Sequence, residues 1–187
     1  MSVGTLLNNP EIRAVAVEPN EAAVRLLKRS LKHNQLESRC QVFHAAVGAD
    51  DGVINFDGEG SVTGHIAEHG QTVQMISLSG LLNRWQAFRT LVKMDIEGFE
   101  SQAVQDLKNV PNLENFTFLV EFHEQGFNGV GDPASTLAAF QALGGKASDL
   151  GGVPVRSLDP QAISQLVIEF SSATPASGSG AAPKRKD

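Results

Sequence analysis

The chain has 187 residues, of which 41% are hydrophobic and 19% charged, and its formal net charge is −6. This size and composition are typical of one globular domain, and the single cysteine, Cys40, excludes an intrachain disulfide. The acidic balance argues against nucleic acid or a membrane surface as a partner. With neither a secretory signal nor an apolar run near the roughly 20 residues of a membrane span, we predict a cytoplasmic protein.

Short apolar runs rich in valine, isoleucine and phenylalanine recur along the chain. They predict buried β-strands over residues 13–17, 40–47, 52–56, 73–78, 90–94 and 116–122, and a terminal pair near 153–156 and 166–170. Helices are predicted between these strands: from the cap Asn20 to about Asn34, after Gly98, and from the cap Asp132 to Gly144.

Strands that alternate with helices predict a parallel or mixed α/β sheet with helices on both faces. In such sheets, ligands bind beyond the carboxyl ends of the strands. Three of the predicted strands end in polar residues, namely Glu18, Asp95 with Glu97, and Glu121 with His123. We assign residues 1–170 to this domain and predict that residues 171–187, which are mostly Ser, Ala, Gly and Pro, are disordered.

The sequence LVKMDIEGFE ends an apolar strand in three carboxylates. Asp95 lies at the strand end and Gly98 allows a sharp turn, so we interpret Asp95 and Glu97 as site residues, suited to an acid/base pair or a divalent cation. Glu100 is interpreted instead as a residue of the first helical turn, where a negative charge is stabilised by about 0.3–1 kcal/mol. Lys93 is not expected to offset these charges.

Two other strand ends carry candidate residues. Glu18, between a strand and a helix, could accept hydrogen bonds from both hydroxyls of a ribose; the alternative is an exposed carboxylate that favours the helix dipole. Glu121 and His123 share one strand face and could act as general base or metal ligands; the alternative is a capping or core histidine. His65 and His69 lie in a predicted loop without a third ligand, and we predict no metal site.

Five segments follow one another in a characteristic order: AVAVEPNEAAVRLLKRSLKHN, FHAAVGADDGVINF, VQMISLSGLL, LVKMDIEGFESQAV and FLVEFHE. In this order and spacing they resemble the FkbM-type methyltransferases, a family of class I enzymes that depend on S-adenosylmethionine. The resemblance covers about residues 12–125, and V-K-x-D-I-E-G is its most specific part. It implies a Rossmann-like, doubly wound, seven-stranded sheet and O-methylation of a hydroxyl on a sugar or secondary metabolite.

The resemblance also implies which residues contact S-adenosylmethionine: Glu18, Ala45, Ala46, Asp95 and Glu97. Glu18 would hold the ribose hydroxyls, and the backbone after the second strand would lie against the adenine. Asp95 would face the methionine end, where negative charge favours a sulfonium. Asp95 is the first candidate for the base that takes the hydroxyl proton, and His123 is the second.

One part of the family's pattern is not found. Its first strand and D-x-G-A-N-x-G loop should precede Pro10, where only MSVGTLLNN stands, with residues 5–9 as a stub of the first helix. That strand is central, between those ending at Glu18 and Asp95, and its loss would leave both inner edges unpaired. We therefore expect an incomplete methyltransferase domain, and the alternative is a non-catalytic α/β interaction module that has lost cofactor binding.

Overall fold

The computed structural model describes residues 2–57, 65–66, 70–123, 131–159 and 164–171. Within them lie five α-helices: α1 Ser2–Asn8, α2 Glu21–His33, α3 Leu78–Leu82, α4 Glu100–Ala103 and α5 Pro133–Ala142. The strands are β1 Ala14–Glu18, β2 Cys40–Gly48, β3 Gly52–Asp57, β4 His65–Ile66, β5 Gln71–Ser77, β6 Thr90–Met94, β7 Phe116–Phe122, β8 Gly145–Ser148, β9 Pro154–Val155 and β10 Ser164–Phe170. Short 3-10 helices span Glu37–Arg39, Val104–Asn109 and Leu113–Asn115. None of the described helices has the length and apolar character needed to cross a membrane.

The first five strands form one mixed sheet in the order β1-β2-β5-β3-β4. β1 pairs in parallel with β2, from Ala14 beside Cys40 to Glu18 beside His44. β2 pairs in parallel with β5, whereas β3 runs antiparallel to both β5 and β4. The parallel pairs at one side of this sheet direct the carboxyl ends of β1, β2 and β5 toward the same edge.

Helices α1 and α2 cover one face of the first sheet. The side chain of Asn20 caps α2 by accepting a hydrogen bond from the Ala23 N–H. Leu31 of α2 and Leu6 of α1 are buried in a cluster with Cys40 of β2. The cap and the apolar face explain why α2 forms where the sequence predicts it.

The other five strands form a second mixed sheet in the order β6-β7-β10-β8-β9. β6 and β7 are parallel, with Met94 beside Val120, and β10 runs antiparallel to β7 and β8. β7 buries every second side chain: Phe116, Phe118, Val120 and Phe122. These pack with α3, α5 and the 3-10 helix Val104–Asn109 in the largest core cluster. The intervening side chains of β7 are only half-buried, so this strand is not buried on both faces as its apolar sequence suggests.

β1 and β6 each stand at the end of a sheet. Among the described residues, β1 pairs with β2 alone and β6 pairs with β7 alone. All five residues of β1 are half-buried although four of them are alanine or valine, and Leu91 of β6 is 64% exposed. These are the two strands whose inner edges the sequence analysis expects to be unpaired.

The carboxyl ends of the two sheets lie close together. A Cβ atom placed on Gly48, the last residue of β2, would lie 3.2 Å from Cε1 of Phe99, which follows β6. The two halves are also joined through Asp106, whose carboxylate accepts the Ser79 N–H of α3 at 2.6 Å. The segment after β6 therefore packs against the end of β2.

The predicted α/β class is confirmed, in the form of two mixed sheets. The strand over residues 116–122 is confirmed, and so is the helix cap at Asp132, which forms a reciprocal capping box with Ser135. The helix predicted after Gly98 is shorter than expected: α4 has four residues and continues as the 3-10 helix Val104–Asn109.

Two predicted boundaries are wrong. Leu78 begins α3 instead of ending a strand, because the Ser77 side chain accepts from the Gly80 N–H and caps a helix there. A strand, β8, begins at Gly145, where the sequence analysis predicted only the end of a helix. His65 lies in β4, whereas His69 and residues 172–187, predicted to be disordered, lie outside the described residues.

Candidate functional site

A tight turn after β6 places the carboxylates of the LVKMDIEGFE motif. The Phe99 N–H donates to the Ile96 carbonyl at 3.2 Å, and both central residues have positive φ, 54° at Glu97 and 90° at Gly98. This is the pattern of a type I′ turn, which glycine adopts freely and glutamate adopts at a cost of about 1–2 kcal/mol. The turn brings Oε2 of Glu97 to 3.5 Å from Nε2 of His123.

Asp95 directly follows β6 and forms an ion pair with Lys93. Lys93 Nζ lies 2.5 Å from Asp95 Oδ2, and the two side chains are 30% and 34% exposed. The expectation that Lys93 does not offset the charge of the motif is wrong, because residues two apart along a strand lie on the same face. The other oxygen of Asp95, Oδ1, lies 3.7 Å from Nε2 of His123.

Glu100 is the site residue that the sequence analysis missed. It begins α4, as predicted, but its side chain is only 4% exposed and does not serve as a solvated helix-start charge. Oε1 of Glu100 accepts the Ile96 N–H at 2.9 Å and lies 3.1 Å from Nδ1 of His123. These two partners compensate the burial of the carboxylate. No local sequence pattern reveals the second one, because it lies 23 residues away.

His123 is enclosed by three carboxylates. The hydrogen bond with Glu100 raises the pKa of His123 above its ordinary value, and the charges of Glu100, Glu97 and Asp95 add to this rise, while burial opposes it. Because Glu100 accepts the proton of Nδ1, the neutral imidazole presents the lone pair of Nε2 to Asp95 and Glu97. Nδ1 of His123 contacts the buried carboxylate of Glu100, as in a core histidine, while Nε2 faces the motif.

Glu121 joins the same group from β7. One ligand atom from each of Asp95, Glu121 and His123 lies within 4.8 Å of the others. Oε2 of Glu121 also accepts a hydrogen bond from Nε2 of Gln165 in β10, at 2.7 Å. The structure therefore brings together the polar ends of β6 and β7, as the sequence analysis expects of neighbouring parallel strands.

Glu18 lies at the carboxyl end of β1 and is half-buried. Oε1 of Glu18 accepts the N–H of Asn20 at 2.8 Å and so orders the turn into α2. Among the described residues, no hydrogen bond or ion pair is recorded between Glu18 and Asp95 or His123. The contact of Glu18 is instead with the backbone of the turn that follows β1.

Ala45 and Ala46 lie within β2, which covers the strand predicted over residues 40–47 and continues to Gly48. Both side chains are buried, and residues 45–48 pair with β5. The pairing of β2 with β1 ends at His44, whose Nε2 contacts the Pro19 carbonyl oxygen at 2.9 Å. On the side of β1, the backbone of β2 thus extends past Glu18.

A small cavity adjoins His123 on the side of α5. It is lined by Gly98, Glu100, His123 and Asp132 among others, and its volume of about 10 Å³ holds roughly one water molecule. Typical ligand pockets enclose about 300–1,000 Å³. This cavity is therefore far too small for a nucleoside, whereas Asp95 and Glu97 lie in a more open position.

In comparisons with known proteins, no family model, no curated protein and no solved structure matches the chain. Arguments about function therefore depend on the residues of the chain and their geometry.

Proposed function

We propose that the chain is an S-adenosylmethionine-binding domain of a class I methyltransferase that methylates a hydroxyl oxygen of a small molecule or glycan. The observation that carries the proposal is the position of β1 and β6. The FkbM resemblance places these two strands on either side of a central strand, and both stand at the end of a sheet. Each also delivers a carboxylate at its carboxyl end, Glu18 and Asp95.

The geometry at the end of β1 supports a ribose and adenine position. Glu18 uses Oε1 to hold the turn into α2, so Oε2 is the oxygen that a ribose hydroxyl would contact. The backbone of Ala45 and Ala46 extends past Glu18 on the same side of the sheet. A nucleoside bound at the carboxyl ends of β1 and β2 would meet both.

The charges after β6 support a sulfonium position. Asp95 and Glu97 both approach Nε2 of His123, and Lys93 neutralises one of the two carboxylates. The net negative charge that remains favours a cationic methyl donor over its neutral product. This difference would help to release the product after each transfer.

The chemistry requires alignment and a proton acceptor. The hydroxyl oxygen attacks the methyl carbon, the carbon–sulfur bond breaks with its electron pair remaining on sulfur, and the hydroxyl proton passes to a base. Asp95 and Nε2 of His123 are our candidates for this base, because they lie 3.7 Å apart at the carboxyl ends of β6 and β7. Glu100 supports His123 as a base because it holds Nδ1 and stabilises the imidazolium that forms.

One observation favours the alternative function, a non-catalytic interaction module. All five residues of β1 are only half-buried, and among the described residues β1 pairs with β2 alone. An open strand edge can accept a strand from another chain. A module of this kind would bind a protein segment and would not bind S-adenosylmethionine.

Isothermal titration calorimetry with S-adenosylmethionine separates the two functions. We expect saturable binding with a micromolar Kd at one site per chain, and weaker binding of adenosine alone. An absence of heat up to millimolar ligand, from protein that melts cooperatively, would refute the methyltransferase proposal and leave the interaction module. Incubation with labelled S-adenosylmethionine and a panel of sugar and phenolic hydroxyl acceptors then tests transfer.

A further inference from the structure

We infer that Asp95, Glu121 and His123 bind one divalent transition-metal ion at the shared carboxyl end of β6 and β7. From the sequence we predicted no metal site, although metal ligation was one of the roles considered for Asp95, Glu121 and His123. In the structure, the pairing of Met94 with Val120 sets Asp95 beside Glu121, and strand alternation places Glu121 and His123 on one face. One ligand atom from each residue lies within 4.8 Å of the other two.

Each of the three ligands also contacts a second residue that holds its side chain. Glu100 accepts from Nδ1 of His123 and leaves Nε2 facing the group, the arrangement that orients metal-bound imidazoles. The two carboxylates are held in the same way: Lys93 binds Oδ2 of Asp95, and Gln165 binds Oε2 of Glu121. Because the supporting residues come from three elements, the group does not depend on one flexible loop.

The three ligand atoms must move closer together to hold a metal ion. Zinc binds imidazole nitrogen and carboxylate oxygen at about 2.0–2.2 Å in a tetrahedral arrangement, so two ligand atoms lie about 3.4 Å apart. The ligand atoms of Asp95, Glu121 and His123 lie within 4.8 Å of one another, so each separation would have to shorten by up to about 1.4 Å. Side chains that are 34% exposed at Asp95 and 19% exposed at His123 have room to close that distance and admit an ion.

The charges around the group favour a cation. Four carboxylates, those of Asp95, Glu97, Glu100 and Glu121, approach His123 or one another, against the single ammonium group of Lys93. Lys93 would repel the ion, but it contacts Oδ2 of Asp95, whereas Oδ1 of Asp95 is the oxygen that approaches His123. A divalent ion would relieve the remaining repulsion among the carboxylates.

The ligand types select the class of ion. One imidazole nitrogen with two carboxylate oxygens suits Zn²⁺ or Mn²⁺, whereas Ca²⁺ takes six to eight oxygen ligands. Three protein ligands leave at least one coordination position open for water or a substrate oxygen. The site is therefore of the open type that binds an exchangeable ligand.

The inference goes beyond the proposed methyl transfer and stands apart from it, because ion binding requires neither cofactor nor acceptor. Asp95 Oδ1 and His123 Nε2 cannot hold a cation and accept a proton at the same time. With the ion bound, a hydroxyl in the open position would be acidified by the ion itself. The ion would lower the pKa of the acceptor hydroxyl, and its proton would pass to solvent water instead of to these two residues.

Calorimetric titration of the EDTA-treated, dialysed chain with ZnCl₂ tests the inference, and MgCl₂ serves as the comparison ion. We expect one site per chain, a micromolar Kd for Zn²⁺ and much weaker binding of Mg²⁺. Glu121→Gln should weaken Zn²⁺ binding by at least about tenfold, and Glu100→Gln by about 10–100-fold through loss of the histidine support. Glu114→Gln, the same substitution at an exposed residue just before β7, should leave binding unchanged.

Zn²⁺ binding of equal strength in the wild-type chain and in Glu121→Gln would overturn the inference, since the ion would then occupy surface histidines. Absence of saturable binding to the wild-type chain would overturn it as well. A second measurement does not depend on the folding of a variant. In the wild-type chain, sub-stoichiometric Mn²⁺ should broaden the imidazole NMR signals of His123 before those of the exposed His33, and the reverse order would contradict the site.

Discussion

Oε1 of Glu100 and Nδ1 of His123 lie 3.1 Å apart, although 23 residues separate them in the chain. The contact joins the start of α4 to the end of β7 and fixes the imidazole ring relative to the motif after β6. The carboxylate of Glu100 is nearly inaccessible to water, so its interaction with His123 is screened less than that of a surface ion pair. This contact gives the site its most direct test.

The first prediction concerns the titration of His123. In EDTA-treated protein, the midpoint of its imidazole signals in ¹H–¹⁵N NMR should lie above the ordinary pKa of histidine, because Glu100 and its neighbours favour the charged ring. Glu100→Gln should lower the midpoint, while Glu114→Gln should leave it in place. An unchanged midpoint in Glu100→Gln would show that the contact does not control the ring.

The same shift predicts the direction in which stability depends on pH. A pKa that is higher in the folded than in the unfolded state contributes stability that is fully present below the unfolded value. This contribution is lost as the pH rises through the folded value of His123. As the pH rises from the unfolded to the folded pKa of His123, the urea midpoint of the wild-type chain should therefore fall relative to that of His123→Asn, whose side chain cannot bind the proton.

The second prediction concerns Glu18 and S-adenosylmethionine. Charge-assisted hydrogen bonds to ribose hydroxyls contribute about 1.5–3 kcal/mol each, and glutamine keeps one acceptor oxygen. Glu18→Gln should therefore weaken binding by about one to two orders of magnitude in calorimetry. Glu11→Gln, an exposed control before β1, should bind like the wild-type chain.

The melting temperature separates two roles for Glu18. Because the amide oxygen of glutamine can still accept the Asn20 N–H, stability should change by less than about 0.5 kcal/mol. Unchanged cofactor binding together with a lowered melting temperature would show that Glu18 only orders the turn into α2.

The third prediction tests the turn after β6. Gly98 has φ of 90°, which an L-residue with a side chain adopts at a cost of about 1–2 kcal/mol. Gly98→Ala should lower the free energy of unfolding by about this amount in urea titrations. Gly52→Ala is the matched control, because a Cβ atom there meets nothing within 4 Å and its φ is not positive. Equal stability of the two variants would contradict the positive φ of Gly98 in this turn.

The fourth prediction tests the core beneath β7. Phe118 is fully buried and its ring lies 5.4 Å from that of Phe140 and 6.1 Å from that of Phe170, between centroids. Phe118→Ala should reduce the free energy of unfolding by about 3–5 kcal/mol. Phe88→Ala, at a residue that is 59% exposed, should change it by roughly 0.5 kcal/mol or less. Similar losses of unfolding free energy in the two variants would contradict the buried position of Phe118 in β7.

Local sequence patterns predicted β1, α2, β2, β6, β7 and α5 closely, because each depends on neighbouring residues. The cap at Asn20, the capping box at Asp132 and the alternation in FTFLVEF act over four to seven residues. The errors at Leu78 and Gly145 arise because the local sequence at these positions is ambiguous. A serine cap and a glycine pair each permit more than one element, and packing selects among them.

The sequence by itself determined that polar groups end the strands at Glu18, Asp95 and His123, since strand period and turn residues are encoded locally. Only the tertiary structure decided how those groups meet. The buried role of Glu100 depends on a partner 23 residues away, and the support of Glu121 depends on Gln165, 44 residues further along the chain. The register of β6 on β7 brings Asp95 to Glu121, and the register of β10 on β7 brings Gln165 to Glu121. A register is a property of paired strands that no single segment contains.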